Sequence, residues 1–354
     1  MNVIERMNEI NAKEKIAAFM VKETQDYEFK KRYAEIRVRE FISECERREL
    51  NYHVSVGGLD SITLFLFIKS LGYDLPGISA SYLEDKSIQE VHRKIGIESV
   101  SPVKDKDGKV WTKSRVLQEF GFPVLSKEIA GKIELLQNPS EKNKTVRHAI
   151  ITGETGEYGG FRKNTRMKMS QKWLEKFGGY ENENEGVNYE IPNFKVSSKC
   201  CYYLKEKPCD DWAKEHNSVP FLGLMASEGG RRAKSLRING CNYFGASTIR
   251  SAPFAIFNRQ DLLKLVLELK VPVPEIYGSI EEKEDGTLYT TGAQRTGCSM
   301  CGFGIHLEKR PHRFDLLKER NFKEWRYWMY ECCTDEHGNK FGWARVLDYI
   351  GVGY

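Results

Sequence analysis

No stretch of this 354-residue chain approaches the roughly 18 consecutive apolar residues that a membrane helix needs, so no spanning segment is expected. The opening MNVIERMNEINAKEKIAAFM carries acids early and lacks the apolar core of a secretory signal, which makes a cytoplasmic setting the expectation. One-signed charge is missing too. Fifty-five Lys and Arg stand against 50 Asp and Glu, and the net +5 is spread along the chain. That permits a polyanionic partner without requiring one. There is neither an internal repeat nor a low-complexity tract, which excludes solenoid arrays and long unstructured linkers. With 40% hydrophobic and 30% charged residues, the chain has a globular composition and enough length for one large core or a domain with additions. Cysteine is not scarce. Nine thiols fall at Cys45, Cys200-Cys201, Cys209, Cys241, Cys298 and Cys301, and Cys332-Cys333. A reducing compartment does not maintain structural disulfides, so clustered thiols point to metal or redox work.

The order of patterns predicts three segments. Residues 1–50 are rich in Glu, Lys and Arg and read as a solvated helical cap, in which Cys45 is incidental. Residues 51–280 alternate short apolar strands with helices, the grammar of a parallel sheet covered on both faces. NYHVSVGGLDSITLFLFIKSLG reads as a strand, a glycine turn and an amphipathic helix. GISASYLEDKSIQEVHRKIG adds a strand and a helix capped by Asp85 or Ser87, FGFPVLSKEIAGKIELLQN repeats the pattern, and VPFLGLMASEGGRRAKSLRI supplies another strand–helix unit with Ser227 and Glu228 at its boundary. Gly- and Asn-rich text between about 150 and 195 predicts loops, some folding over a site. Residues 281–354 form a cysteine-bearing extension. Within it EEKEDGTLYTTG reads as an exposed hairpin, and the aromatic NFKEWRYWMYECC and FGWARVLDYIGVGY are expected to pack back on the body.

Two constellations bear chemistry. In VSVGGLDS, Gly57 and Gly58 let the backbone turn sharply and approach a ligand, and the next helix offers unpaired N–H groups and a positive dipole end. Ser55 and Ser61 add hydroxyls, while Asp60 caps amides or helps hold a metal such as Mg2+. A strand followed by Gly-Gly is also what a plain tight turn looks like. The second constellation is SSKCCYYLKEKPCDDW with GAQRTGCSMCGFGIH. Four soft thiolates in two distant pairs suit a tetrahedral sulfur site. Directly adjacent Cys200 and Cys201 strain a single zinc ion but reach two irons of a cubane, so a 4Fe–4S cluster on Cys200, Cys201, Cys298 and Cys301 ranks above zinc and above unliganded redox thiols. Cys241 reads as a buried small hydrophobe. Cys209 reads the same way, with a ligand role as the alternative.

The glycine turn resembles the Ser-Gly-Gly-Lys-Asp-Ser loop of the PP-loop ATP pyrophosphatases and of their relatives, the phosphoadenosine phosphosulfate (PAPS) reductase family. Gly57, Gly58, Asp60 and Ser61 match; Val56 and Leu59 replace the first Ser and the Lys. The cysteines resemble the Cys-Cys-x-x-Arg-Lys-x-x-Pro and distal Cys-x-x-Cys pairs of adenylyl-sulfate (APS) reductases, whose four cysteines bind one 4Fe–4S cluster. Lys205 and Pro208 match, and Leu204 stands at the Arg position. GLMASEGGRRAKSL resembles the Gly-x-x-x-x-Glu-Ser-x-x-Arg substrate segment through Gly223, Glu228 and Arg231 or Arg232. RSAPFAIFNRQDLLKLVLELKVPVPEIYG resembles the family's Pro-x-x-x-Trp segment, helix and Pro-Tyr-Gly strand, with Phe257 at the Trp position. The resemblance covers about residues 50–310. It implies an adenine nucleotide α-hydrolase-like α/β fold binding ATP or adenylyl sulfate. Ser55, Gly57, Gly58, Asp60, Ser61, Arg232 and Arg295 are then the nucleotide-binding residues, and Asp60, Glu228 and Arg231 the catalytic ones.

Three functions follow as expectations. The first is ATP-dependent sulfur transfer (thiolation) to a nucleic-acid or small-molecule acceptor, served by a reductant or sulfur-donor protein. The second is reduction of APS or PAPS to sulfite. The third is a non-catalytic nucleotide- or redox-sensing module. Reductases attack sulfur with a thiolate on a tail reading Glu-Cys-Gly-Leu-His; YECCTDEHG shares only Glu331, Cys332 and a later His337, and Cys332-Cys333 reads as the close of a packed helix. Arg231, Arg232, Arg250, Arg295, Lys309 and Arg310 can neutralise sulfate, triphosphate or a nucleic-acid backbone, or serve as solvated surface charge. His306 and His312 are expected in hydrogen-bonding roles.

Overall fold

In a computed structural model the described residues are 3–154, 166–178 and 192–354. Residues 155–165 and 179–191, which hold most of the loops expected over a site, lie outside them. The chain forms two compact units. Unit 1 comprises residues 1–101 and 208–299, and unit 2 comprises 102–207 and 300–354. The segments 1–50, 51–280 and 281–354 therefore do not map one-to-one onto compact bodies.

Unit 1 is an α/β layer structure. Its sheet contains β1 (Asn51–Ser55), β2 (Gly77–Ser79), β3 (Glu98–Ser99), β4 (Ser218–Leu222), β5 (Asn242–Phe244) and β6 (Ile249–Ser251) in the order β3-β2-β1-β4-β6-β5. All pairs are parallel except β5–β6, and β1 pairs β4 from Asn51↔Ser218 to Ser55↔Leu222. The chain steps outward from β1 to β2 and β3, then returns to place β4 on the other side of β1. That reversal puts a crevice at the C-terminal ends of β1 and β4, where open α/β sheets bind ligands.

The helices of unit 1 are α1 (Val3–Glu23), α2 (Tyr27–Arg47), α3 (Leu59–Ser70), α4 (Lys86–Ile95), α5 (Gly230–Asn239) and α6 (Arg259–Glu268). Helix α2 is no solvated cap. Ala34, Val38, Phe41, Ile42 and Cys45 recur at helical spacing and are all buried. Phe41 packs 4.8 Å from Phe221 of β4 and 5.1 Å from Phe244 of β5, so truncating it to alanine would cost about 3–5 kcal/mol. At the other end of α2, Lys30 and Asp261 form a buried ion pair at 2.8 Å. High surface charge in residues 1–50 concealed an apolar stripe, and Cys45 is core. Helix α3 is likewise not amphipathic. Leu59, Ile62, Leu64, Phe65, Phe67 and Ile68 are buried because the helix is covered all round. Asp85 caps α4 by accepting from Ser87 N–H, as the sequence suggests. The expected hairpin is present as β7 (Ile280–Glu282) and β8 (Leu288–Thr290). The Pro-Glu-Ile-Tyr segment is a 3-10 turn, Glu275–Tyr277, and not a strand: Pro274 opens it and Gly278, at φ +67°, closes it.

Unit 2 is mainly helical around a second core that includes Phe122, Phe177, Phe314, Trp325, Met329 and Trp343. The aromatic end of the chain packs into this core, as expected, and Trp343 is fully buried. Its one small sheet among the described residues pairs β9 (Cys333–Thr334) with β10 (Lys340–Phe341). FGFPVL contributes only the isolated bridges Phe122↔Val196 and Leu125↔Phe303. Pro123 lacks the N–H that a continuous ladder needs, so the third strand–helix repeat does not join the sheet. Among the described residues no helix is long and apolar enough to cross a membrane.

Candidate functional site

The last ladder bond of β1 runs from Val56 N–H to Ile78 C=O at 2.8 Å, and the Gly57-Gly58 turn follows it into the crevice. Local hydrogen bonds hold the turn. Ser61 Oγ accepts from Gly57 N–H at 2.7 Å and donates to Gly58 C=O at 3.0 Å. Leu59 N–H donates to the Tyr277 hydroxyl at 3.0 Å, and that hydroxyl lies 2.7 Å from Thr296 Oγ1. Gly57 C=O is 2.8 Å from His92 Nε2. A carbonyl only accepts, so Nε2 bears the proton, and in the neutral ring Nδ1 accepts from Ser81 Oγ at 2.8 Å. Ser61 thus braces the loop where an outward-facing hydroxyl was expected. Ser55, at the end of β1, sits with Oγ 3.4 Å from His53 Nε2.

Two glycines are required by close approach. A Cβ on Gly58 would overlap the Tyr277 hydroxyl and come within 2.9 Å of Thr296 Oγ1. A Cβ on Gly223, just beyond β4, would lie 2.9 Å from Ser61 Cα, so that loop presses on the first turn of α3. Leu59, at the position where a lysine would reach an anion, is fully buried instead.

The cation at this site comes from elsewhere. Arg259, first residue of α6, places Nη1 3.0 Å from Asp60 Oδ1. Its Nε and Nη2 are buried without an acceptor, and each orphaned donor costs about 1–3 kcal/mol. Asp60 keeps 31% of its side chain open to solvent, yet crowding dominates its protonation. Burial raises its pKa from 3.8 to about 6, Arg259 opposes the rise, Glu228 adds to it and Arg295 opposes it. Asp60, Glu228, Arg259 and Arg295 therefore share one electrostatic neighbourhood. Glu228 also bonds Arg232 at 3.1 Å, and Arg232 is 60% exposed. The side chain of Arg231, in the first turn of α5, falls outside the described residues.

The cysteines divide between units. Cys200, Cys201 and Cys301 belong to unit 2, and Cys298 to unit 1. All four stand outside any disulfide and are partly exposed, as soft metal donors would be, but among the described residues no group of three or more His, Cys, Asp or Glu is gathered to hold a metal ion. In unit 1, Cys209 and Cys298 both lie near the Tyr82 hydroxyl and, after burial, raise its pKa. Cys241 is buried, as expected. In unit 2, Cys332 and Cys333 are 6% and 2% exposed with their sulfurs 3.9 Å apart. The contact and burial push the Cys333 thiol far up, the opposite of an activated nucleophile.

Several other candidates hold structure. His312 caps helix Arg313–Arg320, accepting from Asp315 N–H at 3.3 Å, with Nε2 2.9 Å from Gly353 C=O. His306 lies edge-on to Trp173 with its Nδ1 buried and without a hydrogen-bond partner among the described residues, so the hydrogen-bonding role expected of it is not found there, and Arg310 pairs with Asp315. Arg250 reaches Ser235 at 3.3 Å. Sequence reasoning passed over Arg259, Tyr277, Thr296 and His92. For Arg259 there was a signal: a cation directly after the N-cap Asn258 opposes the helix dipole and needs a reason. The other three are ordinary residues brought in from distant positions. No protein-family model matches the chain, and no curated protein matches it significantly.

Proposed function

We propose that unit 1 binds an adenine nucleotide, ATP or adenylyl sulfate, at the Gly57-Gly58 turn and that the protein is an enzyme of nucleotide-linked sulfur chemistry, of the PAPS-reductase and PP-loop kind. Sulfur transfer to a nucleic-acid or small-molecule acceptor is the preferred reaction. The observation that carries the nucleotide reading is the convergence of a glycine turn, a half-buried carboxylate and an arginine with unpaired N–H groups at the point where strand order reverses. In this reading Arg259 and Arg295 neutralise the phosphate or sulfate end, doing what Leu59 cannot. Asp60 orients Arg259 and, once ionised, contributes a carboxylate for Mg2+. Ser61 and Tyr277 keep the turn in shape, and their hydroxyls are the first groups an incoming oxyanion would displace from Gly57 and Leu59 N–H. The preference for transfer over reduction rests on the burial of Cys332 and Cys333 and on the raised Cys333 thiol, which leave no exposed attacking sulfur in YECC.

A 4Fe–4S cluster on Cys200, Cys201, Cys298 and Cys301 belongs to this reading through donor softness alone. It would supply electron transfer or a binding site for sulfide. Anaerobic iron and sulfide analysis tests it: Cys201→Ser and Cys298→Ser should each lose most of the iron, and unchanged iron in both removes the cluster.

The function is tested by supplying ATP, APS or PAPS with a reductant and following AMP, pyrophosphate and sulfite. AMP and pyrophosphate formed only with an acceptor support transfer. Sulfite from APS or PAPS means sulfonucleotide reduction. Nucleotide binding without any product leaves the sensing module, and no binding at all ends the nucleotide reading.

A further inference from the structure

In unit 2 the helix Phe322–Tyr330 buries Trp325 and Met329 and turns its other side to water. Residues advance about 100° each around a helix, and the exposed positions 322, 326, 330, 323 and 327 then fall in that order across an arc of about 140°. They read Phe, Arg, Tyr, Lys, Tyr. The three rings are 56%, 43% and 39% exposed for Phe322, Tyr330 and Tyr327. Aromatic and cationic groups alternate with no acid inside the arc. At its border Lys318 is exposed and holds its ammonium 4.4 Å from the Trp325 ring centre. The acids nearest in the chain are Glu319, Glu324 and Glu331, and Glu324, on the same helix outside the arc, accepts from Asn321 Nδ2 at 3.0 Å. Glu331 pairs with Arg326 at 3.3 Å on open surface, where such a pair is weak and readily exchanged for phosphate.

An ordinary solvated helix face does not leave three aromatic rings exposed, and here they stand among cations. Rings that stack on bases and cations that track a backbone are together what unpaired nucleic acid requires. We propose that the outer face of helix Phe322–Tyr330 is a docking surface for single-stranded nucleic acid, contacted by Phe322, Tyr327 and Tyr330 through bases and by Lys323 and Arg326 through phosphates. The nine-residue helix is about 13 Å long. This deepens the transfer reading by assigning its acceptor class. It is measured without nucleotide or metal, so the two fail separately.

The experiment is a fluorescence-anisotropy titration of labelled 20-mer oligothymidylate and oligouridylate with the full chain at several salt concentrations. The wild type binds, and more weakly as salt rises. Phe322→Ala and Tyr327→Ala each lower affinity about tenfold while the salt slope stays unchanged. Lys323→Gln with Arg326→Gln flattens the slope by about 1.4. All these positions are exposed, and circular dichroism verifies that the variants remain folded. Wild-type affinity in both aromatic variants overturns the proposal. So does equal affinity for a poly-glutamate peptide or for anionic vesicles, which would make the surface a protein or membrane contact, and so does an absence of binding at low salt.

Discussion

Asp60 shows how a single residue can be named from sequence yet acquire its character from its neighbours. Its pKa near 6 means that the folded chain binds the proton more tightly than the unfolded chain, whose carboxyl titrates near 3.8. Stability then falls as pH climbs from about 4 through about 6. Asp60→Asn lacks this titration, so its melting temperature should gain on the wild type across that interval and hold a constant offset above it. A difference that is flat from pH 4 to 7 would count against the raised pKa. Arg259 itself is the test of the missing lysine. Arg259→Gln should weaken ATP or adenylyl-sulfate binding about tenfold or more in calorimetry, since hydrogen bonds to a charged group contribute about 1.5–3 kcal/mol. Arg259→Lys should fall between. Undiminished affinity in the glutamine variant would show that the anion is held elsewhere.

At the scale of elements, β1, its turn and α3 work with the distant 3-10 turn Glu275–Tyr277. The Tyr277 hydroxyl occupies the space a Gly58 side chain would need and bonds the first N–H of α3. Gly58→Ala should destabilise the fold by about 1–3 kcal/mol, as overpacking does. Tyr277→Phe loses the hydroxyl's two hydrogen bonds, to Leu59 N–H and Thr296 Oγ1, but removes the overlapping oxygen, so the double variant should be more stable than the two single effects add to. Strict additivity in urea denaturation would mean that the two elements do not press on each other. Thr296 Oγ1 would still lie 2.9 Å from the new Cβ, so the recovery should be partial.

At the scale of the whole molecule the chain passes between its two units at residues 101/102, 207/208 and 299/300. Neither unit is a contiguous segment, and neither core is complete without chain ends that lie far apart in sequence. Residues 300–354 bring Met300, Phe314, Trp325, Met329 and Trp343 to the core of unit 2. A chain ending at residue 299 should lose hydrogen-exchange protection in helix Lys127–Gln137, whose Ala130, Ile133 and Leu136 share that core. Full protection in the truncated chain would show that residues 300–354 are an appendage, as a reading of 281–354 as an extension would have it.

The sequence by itself determined the local grammar: the strand–turn–helix around Gly57-Gly58, the Asp85 cap, the β7–β8 hairpin and the class of a helix-flanked parallel sheet. These depend on residue spacing and on backbone limits that act within a few positions. It also put forward Asp60 from the glycine turn, Glu228 and Arg232 from the resemblance of their segment, and Arg295 as one of several cations. What only the tertiary structure decided was long-range pairing. That α2 is a core layer, that FGFPVL stays outside the sheet, that Ser61 folds back on its own loop and that Arg259 meets Asp60 all depend on which distant surfaces bury one another. Burial is a property of the whole chain's packing, so no local pattern contains it.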